Sequence, residues 1–172
     1  RYLDLILNPK VADVFQKRTL IFQTIRDYLC QEGFLEVETP TLQAVYGGAN
    51  ATPFVTHHKA LDQEFYLRIS NELYLKRLIA GGFDAVFEFV KDFRNEGIDR
   101  THNPEFSALE FYQAYVDYNE IMRHTENICE RCSIAVTGST VTEYEGQTID
   151  LKAPWPRLSM LDAIKTLGGI PF

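Results

Sequence analysis

Phe93-Arg94-Asn95-Glu96-Gly97, followed by His102-Asn103-Pro104-Glu105-Phe106 and then Leu109-Glu110-Phe111-Tyr112, is the stretch on which the reading of this chain turns. A strongly apolar run, Ala85 to Lys91, leads into it, and a long strand-like run, Glu105 to Val116, leads out. The polar segment Asn95 to Pro104 lies between, so the whole reads as two antiparallel strands joined by a loop. Strand side chains alternate between faces. Arg94 and Glu96 then share one face, and Phe106, Ala108, Glu110 and Tyr112 share one face of the returning strand. If the two faces coincide, one surface carries a guanidinium, an aromatic ring and two carboxylates.

Such a surface is a poor core, because ionised groups are costly to bury unless paired. Two readings follow. Arg94 pairs with Glu96 or Glu110 as a structural bridge across the sheet, or the groups converge on a ligand. For the second, a guanidinium offers planar two-pronged donation to a phosphate, an aromatic face stacks on a nucleobase, and carboxylates with a phenol hold an ammonium. That set suits a nucleotide together with a cationic amine.

Working outward, Asn8-Pro9 starts a helix in which Val11, Val14, Phe15, Ile21, Phe22, Ile25, Tyr28 and Leu29 recur at helical spacing until Gly33. Phe34 to Glu38 reads as a strand stopped by Pro40. A loop with Gly47-Gly48 precedes short strands over Phe54 to His57 and Phe65 to Ile69. Ser70 caps a helix running through Leu73, Leu75, Leu78 and Ile79 to Gly81-Gly82. Asp117 and Glu120 have capping-box spacing and open another helix. Glu145-Gly146 is a two-residue hairpin turn between Thr140–Tyr144 and Gln147–Leu151. Ser159 and Asp162 cap a last helix that ends at Gly168-Gly169. Connections from Ala85 onward are too short for parallel crossovers, so an α+β domain with an antiparallel sheet flanked by helices is expected.

Composition sets the outer limits. The 172 residues carry 45% hydrophobic and 13% aromatic side chains and a net charge of -7. That is one globular domain without the clustered Lys and Arg of a broad nucleic-acid surface. No apolar run approaches the roughly 18 residues of a membrane span, and Arg1-Tyr2-Leu3-Asp4 is no signal peptide. Three cysteines, Cys30, Cys129 and Cys132, form no disulfide framework and point to a reducing compartment. Cys129-x-x-Cys132 is read as two neighbours on one helix face rather than a metal or redox pair, and no metal site is assigned. Adjacent His57 and His58 face opposite ways on a strand and are read as structural.

These residues resemble a family. Phe93-Arg94-Asn95-Glu96 with Asn103-Pro104-Glu105-Phe106 and Glu110-Phe111-Tyr112 is similar to motif 2 of class II aminoacyl-tRNA synthetases in its lysyl form. Gly33-Phe34-Leu35-Glu36-Val37-Glu38-Thr39-Pro40 resembles motif 1. The opening Arg1-Tyr2-Leu3-Asp4-Leu5, Gly47-Gly48-Ala49, Pro53 to His58, and Glu72-Leu73-Tyr74-Leu75-Lys76-Arg77 resemble the same enzymes in the same order, over about residues 1 to 126. Motif 1 would cover about residues 20–40 and motif 2 about residues 90–115. The implied fold is a six- to seven-stranded antiparallel sheet flanked by helices. The implied activity is that of a cytoplasmic, homodimeric lysine–tRNA ligase. It makes lysyl-adenylate and pyrophosphate from lysine and ATP, then transfers lysine to tRNA(Lys), with dimerisation through motif 1.

The resemblance implies roles residue by residue. Arg94 would be catalytic, holding the α-phosphate and its developing charge. Glu96, His102, Asn103 and Phe106 would bind ATP with it, Phe106 by stacking on adenine. Glu72 and Glu110 would take the α-ammonium of lysine beside the Gly48 backbone, and Tyr112 would help hold the ε-ammonium. Without the resemblance, Glu72 reads simply as a carboxylate favoured in a helix's first turn, and Ser70-Asn71-Glu72 departs from the commoner Ala-Pro-Glu. A glycine-rich motif 3 ending in Arg has no counterpart in Leu151 to Phe172. The Mg2+ ligands and the anticodon-binding barrel are expected outside this chain, which is therefore expected to be a partial catalytic domain with little exchange activity of its own. Two alternatives remain: a paralogue that lysylates a protein, and a non-catalytic ligand-binding or dimerisation module.

Overall fold

The computed structural model describes residues 2–169, so Arg1 of the opening segment and residues 170–172 lie outside the described residues. In chain order the elements are α1 (Tyr2–Leu7), α2 (Pro9–Gln31), β1 (Leu35–Glu36), β2 (Leu42–Gln43), β3 (Val55–His58), β4 (Gln63–Leu67), α3 (Glu72–Ala80), β5 (Ala85–Phe93), β6 (Glu105–Gln113), α4 (Tyr118–Thr137), β7 (Val141–Tyr144), β8 (Gln147–Asp150) and α5 (Met160–Thr166). They fall into two units, Arg26–Val116 and the combination of Arg1–Ile25 with Asp117–Phe172.

In the Arg26–Val116 unit, β5 is the central strand. It pairs antiparallel with β6 in an unbroken register from Ala85↔Gln113 to Phe93↔Glu105. On its other edge it pairs with β1, and that pairing is parallel, Leu35↔Val86 and Glu36↔Phe87. The sheet is therefore mixed, which corrects the all-antiparallel expectation. The short connections that exclude crossovers start at Ala85, whereas the chain between Glu36 and Ala85 has ample length for one. A separate antiparallel sheet has the order β2-β4-β3. A single sheet of six or seven strands is not what the described residues form; they give two three-stranded sheets and the β7-β8 hairpin.

The core of this unit is Tyr28, Leu29, Phe34, Ile69, Leu75, Val86, Phe87 and Val90, all buried. Phe34 meets Phe111 edge-on at 5.8 Å. Because β5 is covered on both faces, its sequence is nearly continuous in apolar residues rather than alternating. Two carboxylates interrupt it, Glu88 and Asp92, and both are buried.

Helix α3 starts one residue later than the Ser70 cap predicts. Asn71 is the capping position and makes no side-chain cap, while Ser70 Oγ accepts from the Glu72 N–H at 3.1 Å. The returning strand stops at Gln113 rather than Val116, since Ala114 N–H turns to Asp84 O at 2.7 Å and Tyr115 takes a positive φ of 60°.

In the other unit, Asp117 caps α4 by accepting from Asn119 N–H, and Glu120 pairs with Arg123 at 2.6 Å. Glu145 and Gly146, with φ of 49° and 79°, form the expected hairpin turn. Ser159 caps α5 through Asp162 N–H at 3.1 Å, and that helix ends at Thr166, short of Gly168. Asn8 turns back to Asp4 of α1, a helix the sequence reading leaves out. Cys129 and Cys132 sit half-buried on α4, and burial raises both thiols, Cys132 to about 11. Neither is poised as a thiolate.

Candidate functional site

The first cluster is built where β5 ends and β6 begins. Arg94, Glu96, Gly97, Thr101, His102, Asn103 and Phe106 line a cavity of about 250 Å³. Arg94 and Glu96 do come together, but not by strand alternation, because β5 ends at Phe93. Instead, Arg94 N–H donates to Pro104 O at 2.8 Å and Asn95 N–H to Thr52 O at 2.8 Å. Glu96 then folds back, its N–H on Arg94 O at 2.9 Å and its Oε1 accepting from Thr52 N–H at 3.4 Å. Loop hydrogen bonds thus replace the ladder that the sequence reading assumed.

Arg94 forms no ion pair with Glu96 or Glu110 among the described residues. Its Nε reaches Ile69 O at 3.4 Å, and its guanidinium lies 5.2 Å from the centre of the Phe106 ring. The charge is therefore held over an aromatic face and turned to the cavity. His102 Nδ1 contacts the Asp99 carboxylate at 2.7 and 2.8 Å. Asp99 also accepts from the N–H groups of Thr101 and His102, and these bonds hold its carboxyl at about 2, far below the ordinary range. Asn103 Nδ2 donates to Glu105 O at 2.6 Å, bracing the loop where it enters β6.

The second cluster uses the same face of β6. Tyr112 Oη donates to Glu110 Oε1 at 2.6 Å. Burial first, and that hydrogen bond second, push the phenol well above its usual range, so it stays a neutral donor. Glu72, the first residue of α3, faces Tyr112 closely enough to add to that shift. Gly48 has φ of 88°, and a Cβ there would stand 3.0 Å from Ser70 Oγ and 3.2 Å from Glu72 Cβ. A side chain there would be strained and crowded, and Gly48, Glu72, Glu110 and Tyr112 lie in one neighbourhood.

Beside Glu110 and Phe106, on the same sheet face, lies a buried network that the sequence alone did not reveal. Glu88, directly opposite Glu110 in the register, accepts from Thr39 N–H at 2.9 Å, Thr39 Oγ1 at 2.7 Å, Asn71 Nδ2 at 2.8 Å and Arg68 Nη1 at 3.1 Å. Arg68 also donates from Nε to Lys91 O at 2.9 Å and lies 3.5 Å from Asp92 Oδ1. Asp92 Oδ1 has no hydrogen-bond partner among the described residues. Burial raises the Asp92 carboxyl to about 6, against the pull of Arg68 and with a push from Glu110. The signal was present: two carboxylates inside an otherwise apolar strand demand buried partners.

Among the described residues no group of three or more His, Cys, Asp or Glu could hold a metal ion, and no helix is long and apolar enough to cross a membrane. His57 meets Asp62 at 3.3 Å, while His58 accepts from Leu61 N–H at 3.3 Å and packs on Phe65, so the two imidazoles have separate partners.

The sequence that places Arg94 over the Phe106 ring and Glu110 against Tyr112 matches a known class along almost its whole length. The family model for class II tRNA synthetases (D, K and N) covers residues 1–171, and the chain belongs to that family. Its relatives narrow the comparison to one member. The chain is 58% identical over 170 residues to the lysine–tRNA ligase of Roseiflexus castenholzii, covering 99% of this chain and 35% of that protein. It is 56% identical over 172 residues to the lysine–tRNA ligase of Clostridium botulinum and 55% to that of Clostridium novyi, covering all of this chain and 34% of each. The chain spans about a third of the length of the curated relatives it matches.

Proposed function

We propose that residues 1–172 carry the lysine- and ATP-binding part of a lysine–tRNA ligase catalytic domain, with motif 1 across about residues 20–40 and motif 2 across about residues 90–115. The observation that carries this reading is the division of charge on one sheet face. A cation, Arg94, stands over the Phe106 ring at one end. At the other end Glu110 accepts from the Tyr112 phenol, a neutral partner, with Glu72 close by. An anionic nucleotide fits the first end and an amino acid with two ammonium groups fits the second.

In this reading Phe106 stacks on adenine, while Glu96 and Asn103 contact its edge and His102 meets the phosphates. Glu72 and Glu110, with the Gly48 backbone, take the α-ammonium, and Tyr112 helps hold the ε-ammonium. The lysine carboxylate then lies toward Arg94 and attacks the α-phosphorus in line. The P–O bond to pyrophosphate breaks, and lysyl-adenylate forms. Attack by the 3′-terminal hydroxyl of tRNA(Lys) on the acyl carbon then releases AMP. The protein's part is positioning and stabilisation of charge that grows on the phosphoryl oxygens. Arg94 is suited to this because its fork is fixed before reaction. Magnesium would travel with ATP; the described residues offer it no resident site, so no step is assigned to it.

Exposed Leu3, Leu7, Val14 and Phe15 on α1 and α2 support a second copy of the chain as a partner, since such apolar surface marks an interface. The cytoplasm is the compartment in which this reaction would run. The protein-lysylating and non-catalytic alternatives have no observation of their own in their favour.

The family model spans enzymes for aspartate, lysine and asparagine, which sets the test. The complete gene product is assayed for amino-acid-dependent ATP–pyrophosphate exchange with each of the three. Lysine alone is expected to support exchange. Exchange with aspartate or asparagine and none with lysine would overturn the reading.

A further inference from the structure

We infer that Lys76 is an internal stand-in for the substrate's α-ammonium, holding the Glu72 subsite until lysine displaces it. This rests on the reading of Glu72, Glu110 and Tyr112 as a lysine subsite. Lys76 Nζ lies 2.5 Å from Glu72 Oε1 and 5.8 Å from the centre of the Tyr112 ring. An ammonium on a carboxylate and over a phenol face is the same pair of contacts that recognition of an amino acid's ammonium needs.

The surroundings make the place a site rather than open helix surface. Tyr112 Oη is committed to Glu110 at 2.6 Å, and Gly48 closes against the Glu72 side chain, where a Cβ would stand 3.2 Å away. Without a cation, Glu72 and Glu110 would flank the same phenol as unpaired anions, each of which disfavours the other. Lys76 removes that conflict while the site awaits substrate. Its own side chain is 55% exposed and reaches over from the next turn of α3, so it can swing into water with no backbone movement. An exposed pair four residues apart on a helix is weakly held. Substrate binding then becomes an exchange of one ammonium for another, which leaves the charge at Glu72 the same before and after. An ordinary solvated helix pair would have no effect on lysine.

The test measures the affinity of L-lysine calorimetrically in the complete gene product, as wild type, Lys76→Met, Lys76→Arg and Arg77→Met. Lys76→Met is expected to tighten lysine by about two- to fivefold, the range set by an exposed ion-pair competitor. Lys76→Arg retains a cation and stays within about twofold of wild type. Arg77→Met removes the same charge one residue away, where the guanidinium lies on Tyr74 instead, and leaves lysine affinity unchanged. Unchanged or weaker lysine binding by Lys76→Met overturns the inference, and so does equal tightening by Arg77→Met. If wild type binds no lysine, the subsite reading itself falls and takes the stand-in with it. Normal binding by wild type with no gain in Lys76→Met removes the stand-in alone.

Discussion

Glu88 and Glu110 face each other directly across the antiparallel pair of β5 and β6, yet one carboxylate is saturated and the other is left available. Like charges opposite each other destabilise a sheet. Here Arg68 offsets the Glu88 charge and Asn71 and Thr39 donate hydrogen bonds to it, while Glu110 has the neutral Tyr112 phenol. The first carboxylate ties the segment after β1 to the start of α3; the second is the one assigned to lysine in the proposed function.

Replacing Glu88 by Ala should therefore act on stability. Only 2% of Glu88 is exposed, and its loss leaves the Arg68 charge with the weaker Asp92 contact. Breaking one side of a buried pair costs about 3–5 kcal/mol. Urea unfolding of wild type and Glu88→Ala is the check, and equal midpoints would contradict the role given to this network.

Asp92 gives the opposite sign. Burial favours its neutral acid, so the folded chain holds that proton more tightly than the unfolded chain does. Its contribution to stability is complete below the ordinary carboxylate range and is lost as pH rises through about 6. Asp92→Asn removes this loss. The variant is expected to gain on wild type between pH 4 and pH 7, by on the order of 2 kcal/mol at the neutral end. Unfolding free energies across that range decide the matter; a wild type more stable than the variant at pH 7 would contradict it.

Gly48→Ala places a methyl against Ser70 Oγ and Glu72 Cβ at a residue with φ of 88°. The positive φ alone costs about 1–2 kcal/mol, and relief of the clash moves Glu72. Lysine affinity should drop about tenfold, with ATP affinity changed far less. Equal loss for both ligands, measured by titration, would mean that Gly48 serves the fold and not the lysine end.

Arg94→Lys keeps a charge but loses the fork. Exchange should slow by about 10²- to 10³-fold, the scale of one oriented donor lost from a transition state, with the KM for lysine little changed. A slowdown under about threefold would show that a point charge suffices there.

Much of this was legible in the sequence because β6 is one regular strand, whose successive side chains point to opposite faces. Phe106, Glu110 and Tyr112 fall on one face from spacing alone, and the register bears that out. Arg94 and Glu96 were placed together for the wrong reason, since backbone bonds to Thr52 and Pro104 come from distant segments that periodicity does not encode. The parallel pairing of β1 was hidden for the same cause: two residues of strand carry no periodic signal. Arg68, Asn71 and Thr39 looked unremarkable because their importance is set by what they surround, a carboxylate buried in a strand that otherwise reads as core.

The proposed function depends most on a lysine subsite at the β6 face beside α3. The most direct measurement is calorimetric titration of the complete gene product with L-lysine, as wild type and as Glu110→Gln. Glu110→Gln keeps a partner for the Tyr112 hydroxyl but removes the charge. Saturable binding by wild type is expected, with an affinity at least about tenfold weaker in Glu110→Gln, the cost of one charge-assisted hydrogen bond. Equal affinities, or no lysine binding by the wild type, would contradict the proposed subsite.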